Sequence, residues 1–113
     1  MPCIFCEIAA KRAPAKIVFQ NDKVTAFRDL HPRAPTHILI IPNVHVESLQ
    51  DLESDEHVAA AAECLRVVNE LAKTEGLAGG YRLVTNTGPD AGQSVFHLHF
   101  HLLGGRHMTW PPG

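Results

Sequence analysis

Residues 97–102 read HLHFHL, and histidine alternates there with a large apolar side chain. A period of two is the signature of extended chain, whose side chains point alternately to opposite faces. His97, His99 and His101 are therefore expected on one face. Leu98, Phe100 and Leu102 take the other and pack on a helix. Along a strand, neighbouring imidazoles stand about 7 Å apart at Cα and the outer two about 13 Å. Two adjacent rings can hold one ion at that spacing, but three in line cannot easily reach the same one. Acid–base or nucleophilic work on a ligand suits three imidazoles in register better than a metal or a merely solvated face. Imidazole titrates near 6.5, so one ring can attack while its neighbour fixes a tautomer or moves a proton. Just upstream lies TGPDAGQS, residues 87–94, a glycine-rich loop whose backbone N–H groups can face an anion.

The rest of the chain predicts what carries that segment. Its 113 residues suffice for one domain, here 1–113, with one core. Phe5 to Ala10 is expected to form a short helix. Lys16–Gln20 and Val24–Phe27 flank Asn21–Asp22 and read as a hairpin. Thr36–Ile41 reads as a buried strand stopped by Pro42. Residues 55–75 form the one long helix, with Ser54 as N-cap and Gly76 in the left-handed position beyond its end. Val58, Ala61, Ala62, Leu65, Val68 and Ala72 give it an apolar stripe. Tyr81–Asn86 is the next strand, and the tail RHMTWPPG is expected to be extended. Four or five strands with short turns and one inserted helix mean α+β with an antiparallel sheet.

Composition excludes several classes of partner. The formal net charge is −2 with histidine neutral, and no basic block is present to dock on a nucleic acid polymer or a membrane surface. No apolar run is long enough to span a bilayer. MPCIFCEIAAKRAP lacks the basic-then-apolar order of a signal peptide, so a cytoplasmic protein is expected. The cysteine count, three, is odd and does not suggest a disulfide framework. Cys64, inside the helical pattern, reads as a small core or interface residue. Cys3 and Cys6 form a C-x-x-C pair, which in a reducing compartment means a metal, redox chemistry or nothing.

HLHFHLL resembles the signature of the histidine triad family of nucleotide hydrolases and transferases. PAKIVFQND, AFRDLHPRAPTHILIIP, GYRLVTNTGPDAGQSVFHLHFHLLGGR and the terminal WPPG are similar to its Hint branch, the purine nucleoside phosphoramidases, so the resemblance covers essentially the whole chain. It implies a five-stranded antiparallel sheet with one long and one short helix, and a homodimer joining two sheets into one of ten strands. It implies that His99 attacks the α-phosphorus of a nucleoside phosphoramidate, the amine leaves, and water releases the nucleotide, a purine monophosphate such as AMP or GMP. His101 would serve the phosphate and the proton for the amine, with His97 and His37 completing the polar network. Asn86 and Ser94 match positions that bond the phosphate or leaving group, and Gly92 and Gln93 positions where backbone approaches it. Asp29 matches the acid that binds the ribose hydroxyls. Phe5, Ile8, Phe27, Leu30 and Leu39 match the apolar base pocket. Trp110 matches a residue that reaches the partner subunit's active site.

Some family members, chiefly bacterial, bind zinc through a C-x-x-C pair, a later histidine and the first triad histidine, whereas animal members of the Hint branch lack those cysteines. Cys3, Cys6, His45 and His97 fill all four positions, and two thiolates with two imidazoles suit tetrahedral Zn²⁺. Such a zinc would be structural, and no cofactor would be required for catalysis. Two rival readings stay open: a dinucleoside polyphosphate hydrolase, and a nucleotide-binding interaction protein with weak hydrolysis.

Overall fold

A computed structural model describes residues 3–113. The order of elements is α1 (Ile4–Ala9), β1 (Ile17–Gln20), β2 (Val24–Arg28), β3 (Thr36–Pro42), α2 (Asp55–Thr74), β4 (Tyr81–Val84) and β5 (Phe100–Gly104). The five strands form one antiparallel sheet in the order β1-β2-β3-β5-β4. This is the α+β architecture expected, with one long and one short helix.

Local chemistry sets most boundaries. At the β1–β2 turn the Asn21 carboxamide oxygen accepts from the N–H groups of Lys23 and Val24, at 2.9 and 2.8 Å. That Asx turn reverses the chain with no glycine. The Ser54 hydroxyl accepts from His57 N–H at 3.1 Å and caps α2, with Asp55 and Glu56 in the first turn where the helix dipole favours them. At the other end Gly76 takes φ 72°, and Leu77 N–H bonds back to Ala72 O. Arg28 ties β2 to this end through a two-pronged ion pair with Glu75, at 2.7 and 3.0 Å.

β3 is buried along its whole length because it is covered on both faces. Ile38 and Ile40 join Val24, Ala26, Leu98, Phe100 and Leu102 beneath α2. On the other face Leu39 and Ile41 join Phe27 and, from α1, Phe5 and Ile8. The sheet is thus a central layer, with α2 on one side and α1 on the other. β5 crosses so close to Leu77 that a Cβ on Gly104 would lie 2.6 Å from a leucine methyl, so any larger residue there would push the Leu77 side chain aside.

Two details differ from expectation. The buried face of α2 is Ala60, Ala61, Cys64, Val67, Val68, Leu71 and Ala72, while Val58, Ala62 and Leu65 face outward. This helix is apolar on two sides, and the sheet takes the side richer in small residues. Hydrogen-bonded strand begins only at Phe100, so His97, at the end of a bend, and His99 both sit ahead of it. The alternation persists nonetheless: Leu98, Phe100 and Leu102 all pack under α2. No helix among the described residues is long and apolar enough to cross a membrane.

Candidate active site and Cys/His centre

The face of the sheet opposite α2 carries the histidines. In the β3–β5 register Leu39 pairs with His101 and His37 with Leu103, so His37 and His101 lie diagonally across one face. The His37 Nε2 to His101 Nδ1 distance is 2.9 Å, and His99 and His101 stand 5.0 Å apart at their ring centroids. Phe5, carried by α1, turns its ring toward both His97 and His99 in edge contacts, at 5.9 and 5.1 Å.

Hydrogen bonding fixes the tautomers one after another. The Nδ1–H of His99 donates to the carbonyl of His97 at 2.7 Å, which leaves Nε2 with its lone pair free. The restraining carbonyl belongs to the residue two back in the same segment, not to a neighbouring strand. His37 Nδ1 accepts from Arg33 N–H at 3.0 Å, so its proton resides on Nε2 and is donated to His101 Nδ1. His101 must then carry its own proton on Nε2. One ring of the pair His99/His101 offers a lone pair and the other offers an N–H. That is the complement a displacement at phosphorus needs.

In the unliganded protein burial keeps the donor ring uncharged. Burial, reinforced by the neighbouring His99 and His37, pushes His101 down to about 4 against the pull of Asp29. Burial also lowers His37, again opposed by Asp29, whose carboxylate stands 3.5 Å from His37 Nε2. The other carboxylate oxygen of Asp29 accepts from His31 N–H at 2.7 Å. Asp29, His31, Arg33, His37, Val84, Asn86, His101 and Leu103 line an open cleft of about 330 Å³. A larger groove, about 530 Å³ beside β4, holds none of the clustered histidines, so size does not select the site.

The remaining expected residues divide into those brought to this face and those held off it. Phe5, Ile8, Phe27 and Leu39 form one buried apolar cluster, with Val95 packed against it. Leu30 does not join them: it is 86% exposed, at the rim of a neighbouring hollow with Lys16 and Pro32. Asn86 lines the cleft. Ser94 is exposed, and among the described residues its hydroxyl meets no protein partner in a hydrogen bond. The N–H groups of Gly92 and Gln93 turn inward to Pro89 O and Gly88 O, at 3.0 and 3.1 Å. The Gln93 carboxamide accepts from Gly88 N–H and donates to Glu47 O and Val95 O, so its side chain braces the loop. Trp110 is 80% exposed and stands over Arg82 at 5.9 Å, away from the cleft of its own chain.

Two site partners have no counterpart in the sequence reading. The Thr85 hydroxyl donates to the carbonyl of His99 at 2.8 Å, and Arg33 acts on His37 through its backbone N–H. Pairing of Val84 with His101 brings Thr85 there, and that pairing is a property of the folded sheet.

A second constellation adjoins the first. The ligand atoms of Cys3, Cys6, His45 and His97 all lie within 4.8 Å of one another. Cys3 Sγ is 3.3 Å from His97 Nδ1, and Cys6 Sγ is 3.4 Å from His45 Nδ1 and 3.6 Å from His97 Nδ1. Bond lengths of about 2.3 Å to sulfur and 2.0 Å to nitrogen give a tetrahedral S···N edge of about 3.5 Å. The donor set and its spacing therefore fit zinc. His97 is oriented for the role: its Nε2–H donates to Pro42 O at 2.8 Å, which turns the Nδ1 lone pair to the thiols. Asp29, His37 and His101 also lie close enough to hold an ion, but a direct N–H···N hydrogen bond already accounts for the approach of the two rings. Cys64 is wholly buried, and burial pushes its thiol up to about 12, which makes it an inert core residue.

Comparison with known proteins agrees with this picture. Residues 10–108 match the HIT domain family. A "14 kDa zinc-binding protein" of Zea mays is 51% identical over 99% of this chain and 88% of its own length. "Adenylylsulfatase HINT1" of Arabidopsis thaliana is 48% identical, over 99% of this chain and 77% of its own. The crystal structure of a HIT family hydrolase from Legionella pneumophila Philadelphia 1 superposes with a TM-score of 0.94 at 49% identity, covering 99% of this chain and 100% of that one. The chain belongs to the histidine triad (HIT) family, in its Hint branch.

Proposed function

We propose that the protein is a nucleotide hydrolase that cleaves the P–N bond of purine nucleoside phosphoramidates. The observation that carries this reading is the tautomer lock on His99, with Nδ1–H held by the His97 carbonyl at 2.7 Å. In the first step His99 Nε2 forms a bond to phosphorus as the P–N bond breaks. The departing amine takes a proton from His101, which the bound phosphate anion and Asp29 favour as an imidazolium aimed by His37, and the ring returns to its neutral form. In the second step water attacks the nucleotidyl-histidine, gives up a proton, and releases the monophosphate with His99 restored. Asn86 and the exposed Ser94 hydroxyl hold the phosphate. The Gly92–Gln93 turn presents the following backbone to it but keeps its own N–H groups. Asp29 accepts from the ribose hydroxyls. The base lies against the outer edge of the Phe5, Ile8, Phe27 and Leu39 cluster, with Leu30 closing from the other side.

Cys3, Cys6, His45 and His97 would hold a structural zinc, and two free thiols in such a site suit a reducing compartment such as the cytoplasm. A bound zinc would supply cross-linking of α1 to the chain before β5, and would take no part in the displacement. The protein would act as a homodimer. β4 is an edge strand, and Val58 and Leu65 of α2 are each half exposed with Tyr81 nearby in exposure, as an unpartnered interface would be. Trp110 would then reach the cleft of the second subunit.

A second reading is hydrolysis of an adenylyl sulfate, favoured by the name of the Arabidopsis relative. Specificity constants on adenosine phosphoramidates with varied amines, adenylyl sulfate and a dinucleoside polyphosphate separate the alternatives. The reading predicts the highest value on a phosphoramidate. A higher value on the dinucleoside polyphosphate would replace it with that activity.

A further inference from the structure

The Cys/His centre and the proposed nucleophile meet in a single residue. The His97 ring is wholly buried, with Nδ1 facing Cys3 and Cys6 and Nε2–H on Pro42 O. The same residue's carbonyl holds the His99 Nδ1 proton at 2.7 Å. The peptide joining residues 97 and 98 is pinned on its other side as well: Leu98 N–H donates to Val46 O at 2.7 Å, and Val46 directly follows His45. The third tie is α1. Cys3 caps that helix by accepting from Cys6 N–H at 3.5 Å, and the helix carries Phe5, whose ring meets His97 and His99. Two of these attachments, the His97 carbonyl and Phe5, reach the His99 ring itself, and the others hold His97 and Leu98 beside it.

We infer that the Cys3/Cys6/His45/His97 centre positions the nucleophile, by holding the His97 carbonyl and Phe5 where they keep His99 in its Nδ1–H tautomer. The inference rests on reading the centre as a zinc site. With the centre assembled, the peptide between 97 and 98 cannot turn, because His97 is gripped through its ring and Leu98 through Val46, the residue after His45. With the centre open, Pro42 still holds one nitrogen of His97, but α1 and the His45 segment are free to shift. His99 then loses its fixed proton position without being removed. The expected consequence is a reduced rate and not an abolished one. His97, His45 and Cys6 are positioning residues in this account, acting on phosphorus only through His99.

The test uses full-length protein as purified. Zinc content is measured by elemental analysis before and after stripping with a chelator, circular dichroism checks the fold, and ¹⁵N chemical shifts of the His99 ring report its tautomer. His45→Ala supplies the same comparison in a chain that loses only an exposed ligand. Opening the centre is expected to move the His99 nitrogens from a Nδ1–H pattern toward an averaged one. kcat is expected to fall about 10- to 100-fold, the range typical of partners one shell removed from a reacting group, with recovery when zinc is restored. Unchanged His99 shifts in protein shown to have lost its zinc would overturn the inference and leave the zinc site standing. Protein that neither contains nor takes up zinc would overturn the zinc reading, and the inference with it.

Discussion

The two ends of the histidine segment are held by different kinds of partner. At the His97 end the restraints are backbone carbonyls and thiols: Pro42 O on one ring nitrogen, Cys3 and Cys6 on the other, and the His97 carbonyl on His99. At the His101 end the restraint is another imidazole, itself flanked by a carboxylate: His37 at 2.9 Å, with Asp29 at 3.5 Å beyond it. Backbone carbonyls do not titrate, and burial with Cys3 beside it pushes the Cys6 thiol up to about 11, so the first end fixes a shape. An imidazole pair beside a carboxylate can take up or release a proton, so the second end can take part in the chemistry. The division of labour follows from the partners and not from the histidines, which are chemically identical.

The most severe way to break this comparison is to remove the ring between the two ends. His99→Ala should lower turnover of an adenosine phosphoramidate by at least about 10⁴-fold, as loss of a nucleophile does elsewhere. Circular dichroism and AMP binding should stay near wild type. Next comes the proton-donating end. His101→Ala should cost about 10²- to 10⁴-fold on substrates whose leaving group is a basic amine. On adenylyl sulfate the loss should be smaller, because sulfate leaves without needing a proton. Equal losses on the two substrates would remove His101 from the role of acid.

Acid should strain both ends, because burial pushes His97 down to about 4 as well. Burial holds His101 down to about 4 and lowers His37, whereas both take up protons below about 6.5 once the chain unfolds. Below that pH the unfolded state binds more protons than the folded one. Stability is therefore full above about 6.5 and falls as the pH drops toward 4. Urea midpoints measured between about pH 7.5 and pH 5 should decline, and His101→Gln should decline less steeply. A wild-type midpoint flat across that range would contradict the burial argument. The smallest expected effect is at Thr85. Thr85→Val removes the hydrogen bond to the His99 carbonyl at little change of shape, and should cost about 1 kcal/mol of stability in urea denaturation.

How much of this was legible depended on the kind of force involved. The alternation of His97, His99 and His101 with Leu98, Phe100 and Leu102 survives into the fold because period two is written in side-chain types. It holds even where hydrogen-bonded strand has not begun. The existence of α2 and its Ser54 cap were legible for the same reason. Its buried face was not, since a helix apolar on two sides gives no sign of which side meets the sheet; Val58 and Leu65 ended outside. Backbone partners were not legible either. Pro42 O, the His97 carbonyl and Arg33 N–H act through groups every residue has. Gly92 and Gln93 turn their amides inward for a reason no composition reveals. The Cys3, Cys6, His45 and His97 set, drawn from distant parts of the chain, was legible only through family resemblance, and the fold brings its ligand atoms within 4.8 Å of one another.

The central claim is that His99, and neither neighbour, forms the bond to phosphorus. Rapid quenching of the protein with an adenosine phosphoramidate, followed by digestion and peptide mass spectrometry, addresses it directly. The account predicts a transient adenylyl adduct on the peptide at His99, decaying as AMP appears and absent from His99→Ala. Turnover with no adduct, or with the adduct on His97 or His101, would contradict it.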